Sequence, residues 1–371
     1  MHRFTAILAG AIVFAVAIGS AQQPSSGGPY KVLRRANVGG EGNWDYIYAD
    51  VAGRRLYIPR RAPAAVPATD ARPAAPAIRT RLTIFNLDTI EPIGEIDGVG
   101  GNGTAVDPKS NHGFTSSKPV SMFDTKTMKL IKTIEVGAAQ PDGIYFDAFN
   151  DRVYVFSHPT KDAIVIDSKD GTVLGTIDLG GVPEQGVADG KGTLYVVMQD
   201  AEGSVTAVDV KTMKAIGHYP FGDKGGCNGL ALDVKNRVLF AACARSGNPP
   251  AVPAQPMMVI LRADDGKILT SLPLAGGSDG AVFNPATMEA FSTHGNGTLT
   301  VVKEKSPTSF EVEQNLETMN FARTITFDSK TNHIFTMSVE RGPAPPPPPG
   351  GGRGAQGTPV PGTFTILMIG K

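Results

Sequence analysis

The sequence predicts an all-β chain folded as a seven-bladed propeller of four-stranded antiparallel sheets, on three observations. First, the stretch Pro141–Val182 contains four short apolar runs, Gly143–Phe146, Arg152–Phe156, Ala163–Asp167 and Val173–Asp178. Each is rich in Val, Ile, Tyr or Phe, too short for a helix and bounded by Asp, Asn or Gly, so each reads as a strand. Second, this four-strand unit repeats. The turn after its first strand carries Asp50, Asp107, Asp147, Asp189, Asp233, Asn284 and Asp328, with most steps between 40 and 44 residues. The longer steps, 57 before Asp107 and 51 before Asn284, each hold a Pro/Ala-rich insertion. Units of this length built of four strands are propeller blades. Third, the ends are permuted: the last run, Thr363–Ile369, matches a third strand with no fourth after it, whereas Tyr30–Val38 matches the fourth strand Lys129–Val136. The N-terminal strand is therefore expected to complete the last blade and close the ring, leaving no free sheet edge.

The elements follow in order. Residues 1–21 show a short basic start, an apolar core and Gly19-Ser20-Ala21, the pattern of a signal peptide cleaved before Gln22. The mature chain, 22–371, is then one propeller domain, periplasmic or secreted, and expected to be a monomer. Blade 1 takes Asp45–Asp50, Arg54–Pro59, Leu82–Leu87 and Pro92–Asp97; blade 2 Gly103–Val106, Gly113–Ser116, Val120–Asp124 and Lys129–Val136; blade 3 is the unit above. Blade 4 takes Gly186–Ala188, Thr193–Met198, Val205–Asp209 and Ala215–Phe221; blade 5 Gly229–Leu232, Arg237–Ala242, Met257–Leu261 and Ile268–Leu274. Blade 6 takes Gly280–Phe283, Glu289–Thr293, Leu299–Lys303 and Phe310–Asn315; blade 7 Thr324–Phe327, His333–Met337 and Thr363–Ile369 with the N-terminal strand. Insertions 60–80, 247–256 and 341–362 all fall between a second and a third strand.

Within this repeat, IVIDSKDGTVLGTIDLGGVPEQGVAD (Ile164–Asp189) and the strands RVYVFS, TLYVVM and RLYIPR, starting at Arg152, Thr193 and Arg55, resemble the YVTN family of seven-bladed propellers, the YncE-like proteins. The Thr-Asn half of that family's signature is absent from every copy, so the likeness is to the repeat class, over nearly the whole mature chain. The resemblance implies an exported propeller, with DNA binding or cell-surface association in some members.

Composition narrows the function. Removing Arg3 with the signal leaves 34 basic and 35 acidic side chains, a net charge of −1, so no global charge points to nucleic acid or membrane surfaces. Nucleophile elbows, zinc-binding helices, phosphate loops and redox Cys pairs are missing from the sequence. The two cysteines, Cys227 and Cys243, flank a hairpin centred on residue 235 and so face each other across it, as a disulfide or as two buried thiols.

One repeat position, at the start of each channel-lining strand, is polar in all seven copies: Asp45, Asn102, Asp142, Gln185, Asn228, Asp279 and Arg323, with Glu184 a competing assignment in blade 4. Its following residues are mostly glycine, expected to leave the mouth open. Such a ring would hold a small polyhydroxyl or carboxylate ligand, or a divalent cation; oxygen donors without a His or Cys cluster favour Ca or Mg. The insertions crown the same face. Arg60, Arg61 and Arg79 make the first one cationic, and the absence of aromatics there argues against stacking on single-stranded nucleic acid. His158 and His294 end second strands on that face but in separate blades, so no shared metal is expected of them. The reading is a binding or interaction propeller working through the crowned face, for a small ligand or a protein at the cell envelope and more in keeping with a non-enzyme. The alternatives are a metal-assisted hydrolase or lactonase at the ring carboxylates, or nucleic-acid binding through the Arg-rich loop.

Overall fold

A computed structural model describes residues 27–62, 78–137, 140–200, 202–222, 225–243, 255–343 and 356–371. Residues 1–21, expected to be a signal peptide, and the centres of the three insertions lie outside these residues. The described chain forms seven sheets of four antiparallel strands each. Strands meander outward in every blade, so that the inner strands surround the axis: Tyr48–Asp50, Thr104–Asp107, Pro141–Asp147, Pro183–Ala188, Cys227–Asp233, Ser278–Asn284 and Thr326–Asp328. The seventh sheet is closed as its permuted ends require: Lys31–Asn37 pairs antiparallel with Thr365–Gly370, from Lys31 opposite Gly370 to Asn37 opposite Thr365.

The repeated Asp or Asn has a local task. Its carboxylate or amide oxygen accepts the backbone N–H two residues on: Lys109 from Asp107, Phe149 from Asp147, Lys191 from Asp189, Lys235 from Asp233, Ala286 from Asn284 and Lys330 from Asp328, all at 2.8–3.0 Å. This side-chain turn fixes the hairpin between inner and second strands. The last turn residue, such as Asn111 (φ 61°) or Asn332 (φ 60°), is left-handed.

The core lies in the seams between blades rather than at the axis. One buried cluster joins Leu56, Ile58 and Phe85 of blade 1 to Phe335, Phe364 and Ile366 of blade 7, so the seam between the chain's two ends is as apolar as the others. Outer strands are largely exposed, as in Lys129–Ile134, where all but Ile134 face solvent. The ends are latched further onto blade 6. Gln314 accepts the N–H of Tyr30 at 2.9 Å and donates to its carbonyl at 2.8 Å, while Tyr30 Oη and Lys371 Nζ both donate to the buried carboxylate of Glu289. In blade 5 the register places Cys227 opposite Cys243, and a disulfide joins them.

Candidate functional site

The inner strands of blades 3 to 6 carry a bulge where they enter the channel. In blade 3 the pairing runs Pro141 to Ser157, then shifts so that Ile144 meets Val155; blade 4 repeats this with Pro183–Met198 and Gly186–Val196. The same shift follows Cys227 and Ser278. A bulge leaves one residue out of the ladder and re-aims its side chain. Matching Pro141-Asp142-Gly143 to Pro183-Glu184-Gln185 assigns the ring position of blade 4 to Glu184, not to Gln185. Gln185 reaches along the channel wall instead: its Oε1 accepts Leu230 N and Ala281 N at 3.0 and 3.1 Å, and its Nε2 donates to Ala281 O at 2.9 Å. It thereby ties the inner strands of blades 5 and 6 together. The glycines beside the ring serve close packing and not an open mouth. A Cβ on Gly143 would lie 2.3 Å from the Glu184 carbonyl oxygen, and one on Gly229 2.6 Å from the Gly280 carbonyl carbon.

Ring side chains converge as pairs. Arg323 bridges Asp279 at 2.8 Å and Asp45 at 3.5 Å, and Arg61 lies 3.8 Å from Asp45. Asn102 Nδ2 donates to Asp142 Oδ1 at 2.7 Å, and Asn228 Nδ2 donates to Asp279 Oδ1 at 2.9 Å and Glu184 Oε1 at 3.2 Å. A second tier comes from the residue that follows each second strand. In blade 1 this is Arg61, in blade 3 His158, in blade 4 Gln199. His158 Nε2 is 2.7 Å from Glu184 Oε2 and 3.0 Å from Asp142 Oδ2, and Gln199 Nε2 donates to Glu184 Oε2 at 3.0 Å. His158 is thus a site residue that the sequence reading set aside. The signal was present in its position one step past a second strand, but its partner Glu184 lies in the next blade. His294 is separate: buried in blade 6, it packs against Thr298, with burial pulling its pKa down to about 3.

The charges at the mouth are closely opposed. Burial, with the Asp142 and Asp279 charges, pushes Asp45 up to about 7 against the pull of Arg323 and Arg61. Burial also raises the Glu184 carboxyl, only partly countered by His158. Although burial disfavours its charge, the hydrogen bonds to Asp142 and Glu184 push His158 up to about 10. Beneath the ring, burial and the four carboxylates raise the Tyr46 phenol.

Two hollows meet at this ring. A polar one of about 620 Å³ opens between blades 1, 2 and 3, lined by Asp45, Arg61, Asn102, Ser117, Lys118 and Asp142 among others. Below it a channel of about 460 Å³ is walled by Tyr48, Tyr145, Val187, Leu232, Phe283 and Phe327. Of Arg60, Arg61 and Arg79, only Arg61 lines the mouth hollow. Arg60 is buried (2% exposed), its guanidinium 3.7 Å above the Phe364 ring and 5.5 Å from Trp44, because the chain's ends bring those rings together under it. Arg79 is neutralised by Glu95 and Asp97.

No protein-family model matches the chain, and no curated protein matches it in sequence. Solved structures do. A chain of Kuenenia stuttgartiensis hydrazine synthase is 14% identical, with a TM-score of 0.63, covering 78% of this chain and 91% of that one. U3-55K is 9% identical at a TM-score of 0.67 over 93% of this chain and 99% of its own. The RRP9 WD40 repeats are 10% identical, also at 0.67, over 94% and 99%. At such identity the likeness shows the fold alone: the chain is a seven-bladed β-propeller. Function has to be argued from the mouth.

Proposed function

We propose that this protein is an exported, YncE-like binding propeller that captures a small hydroxylated or carboxylated ligand at the mouth of its central channel. The signal-like residues 1–21 and the Tyr-Val strands support export and the YncE-like assignment. One observation carries the binding reading: Asp45, Arg61, Asp142 and the amide of Asn102, from three different blades, line a concave polar hollow whose other walls are largely hydroxyls. Ser116, Ser117, Ser121, Thr80 and Thr133 line it, with Lys118 beside them and no Phe, Tyr or Trp among its described lining residues. Donors and acceptors of both signs around a cavity of ligand size are what a small polar molecule needs for orientation. Nucleic acid is a poorer fit, because Arg60 and Arg79 are already engaged within the protein.

Thermal unfolding against polyols, sugar acids, lactones and oligonucleotides tests this. A ligand at a hundred times its dissociation constant stabilises by about 2.7 kcal/mol, and Arg61→Ala should abolish the shift. No shift with any member of the first three classes, together with a salt-sensitive shift by oligonucleotides, would replace this reading with the nucleic-acid one.

A further inference from the structure

We infer that Asp142 Oδ2, His158 Nε2 and Glu184 Oε2 form a binding site for a divalent first-row transition ion, of the manganese-to-zinc class, with open coordination positions facing the mouth hollow. This deepens the proposed reading, since the ion would sit at the edge of the same hollow, yet it stands on separate atoms. The three ligand atoms lie within 4.8 Å of one another and come from two bulges and one strand end. The imidazole nitrogen is 2.7 and 3.0 Å from the two carboxylate oxygens. Bonds of about 2.0–2.1 Å to a small ion place neighbouring ligands roughly 2.9–3.3 Å apart, close to this spacing. The imidazole also moves the preference away from the Ca or Mg expected of oxygens alone.

Two further features point to an ion. The carboxylates are held by outer partners, as metal ligands are: Asn102 takes Asp142 Oδ1, and Asn228 takes Glu184 Oε1, turning the opposite oxygens toward His158. And the polar atoms around Nε2 are poorly matched without an ion. A single ring nitrogen faces two carboxylate oxygens and, at 3.1 Å, the Gln199 amide nitrogen, itself a donor. Asp142 and His158 also line the hollow, so water or ligand atoms have access to the remaining positions. Three protein ligands with an open side is the arrangement of catalytic rather than structural sites.

The test is titration of the chelator-stripped, full-length mature protein with cobalt(II), followed by its visible absorption, and with zinc by competition. One equivalent should bind with a d–d spectrum showing nitrogen ligation. His158→Gln should lose both that spectrum and more than the roughly 10–100-fold affinity that outer-shell partners are worth, while Gln199→Ala should lose less. Glu304→Gln, on the opposite face, should bind as the wild type does, and circular dichroism of each variant separates lost ligation from lost folding. Absence of a cobalt equivalent at micromolar concentration, or an unchanged spectrum in a folded His158→Gln variant, overturns the inference. If metal fails to bind but the polyol panel still raises the melting temperature, the site inference falls and the binding reading stands. The opposite pattern leaves the metal site and removes the polyol.

Discussion

Replacing Glu304 by Gln should stabilise the protein above pH 7 and do little near pH 4.5. The reasoning comes from comparing the seams on the face opposite the mouth, where each turn carboxylate meets the next blade. Between blades 2 and 3, Ser168 Oγ donates to Asp107 Oδ2 at 2.7 Å. Between blades 4 and 5, Arg237 reaches Asp189 at 2.9 Å, and between blades 7 and 1, Arg54 bridges Asp328. Between blades 5 and 6 the position of Arg237 is occupied by Met288 and that of Ser168 by Glu304. Two buried carboxyls, Asp233 and Glu304, 1% and 2% exposed, then face each other. Neither Asp233 Oδ2 nor Glu304 Oε2 has another partner, so a proton must take the place of the missing donor. Burial first, then Asp233, raises Glu304 from 4.5 to about 7.

The sign follows from linkage. The folded state holds this proton more tightly than the unfolded chain, so the stabilising contact is complete below pH 4.5 and lost as pH rises through about 7. A shift of that size at about 1.36 kcal/mol per unit corresponds to about 3 kcal/mol, an upper figure because the seam can relax. An amide at 304 would donate to Asp233 at every pH, as Ser168 does to Asp107. The assay is urea unfolding of both proteins from pH 4.5 to 8.5. Asp45, raised in the same window, lies on the other face and cancels in the difference. A difference that does not grow with pH, or a Gln variant less stable at pH 8, would refute the shared-proton seam.

Three other outcomes follow from the same structure. Gln185→Ala should cost about 1–3 kcal/mol in denaturant unfolding, since Leu230 N and both polar groups of Ala281 lose their partner. Reducing the Cys227–Cys243 bridge, which spans a sequence separation of 16, should lower stability by about 3 kcal/mol, read as a lower melting temperature with reductant. Deleting residues 22–38 removes the pairing with Thr365–Gly370, every residue of which is buried, and should yield aggregation in gel filtration in place of a cooperative melt.

The fold was legible because its signals are local. A turn Asp every forty-odd residues, with alternating apolar runs on either side, specifies hairpins directly, and the permuted ends specify the closure. The site was less legible because it is built across blades. Glu184 and Gln185 are adjacent in sequence and both polar; only the bulge after Pro183 decides which one enters the mouth. His158 reads as a strand end until Glu184 of the next blade is brought to 2.7 Å from it. Arg60 reads as loop charge until Trp44 and Phe364, from opposite ends of the chain, form the platform that buries it.

The mouth gathers buried carboxylates and cations from several blades at one place, and that convergence is the physical case for a working site there. Opposite the mouth, each turn carboxylate accepts backbone N–H groups of its own turn, and Asp107, Asp189 and Asp328 also meet a donor from the neighbouring blade. For those three, burial works against ionisation but the hydrogen bonds prevail and hold the carboxyls below their usual range, whereas burial raises Asp50 and Asp147 on the same face. At the mouth, Asp45, Asp142, Glu184 and Asp279 share Arg61, Arg323 and His158, and two of the four, Asp45 and Glu184, are still driven upward. Burial without full compensation costs stability, so a ring of purely structural carboxylates would be better replaced by amides, as Asn102 and Asn228 already are in their blades. A bound cation or hydrogen-bond donor supplied from outside removes that cost. Asp45→Asn should accordingly stabilise the free protein above pH 7 while weakening its response to ligand; a variant that gains stability and keeps the full ligand response would mean that Asp45 takes no part in binding.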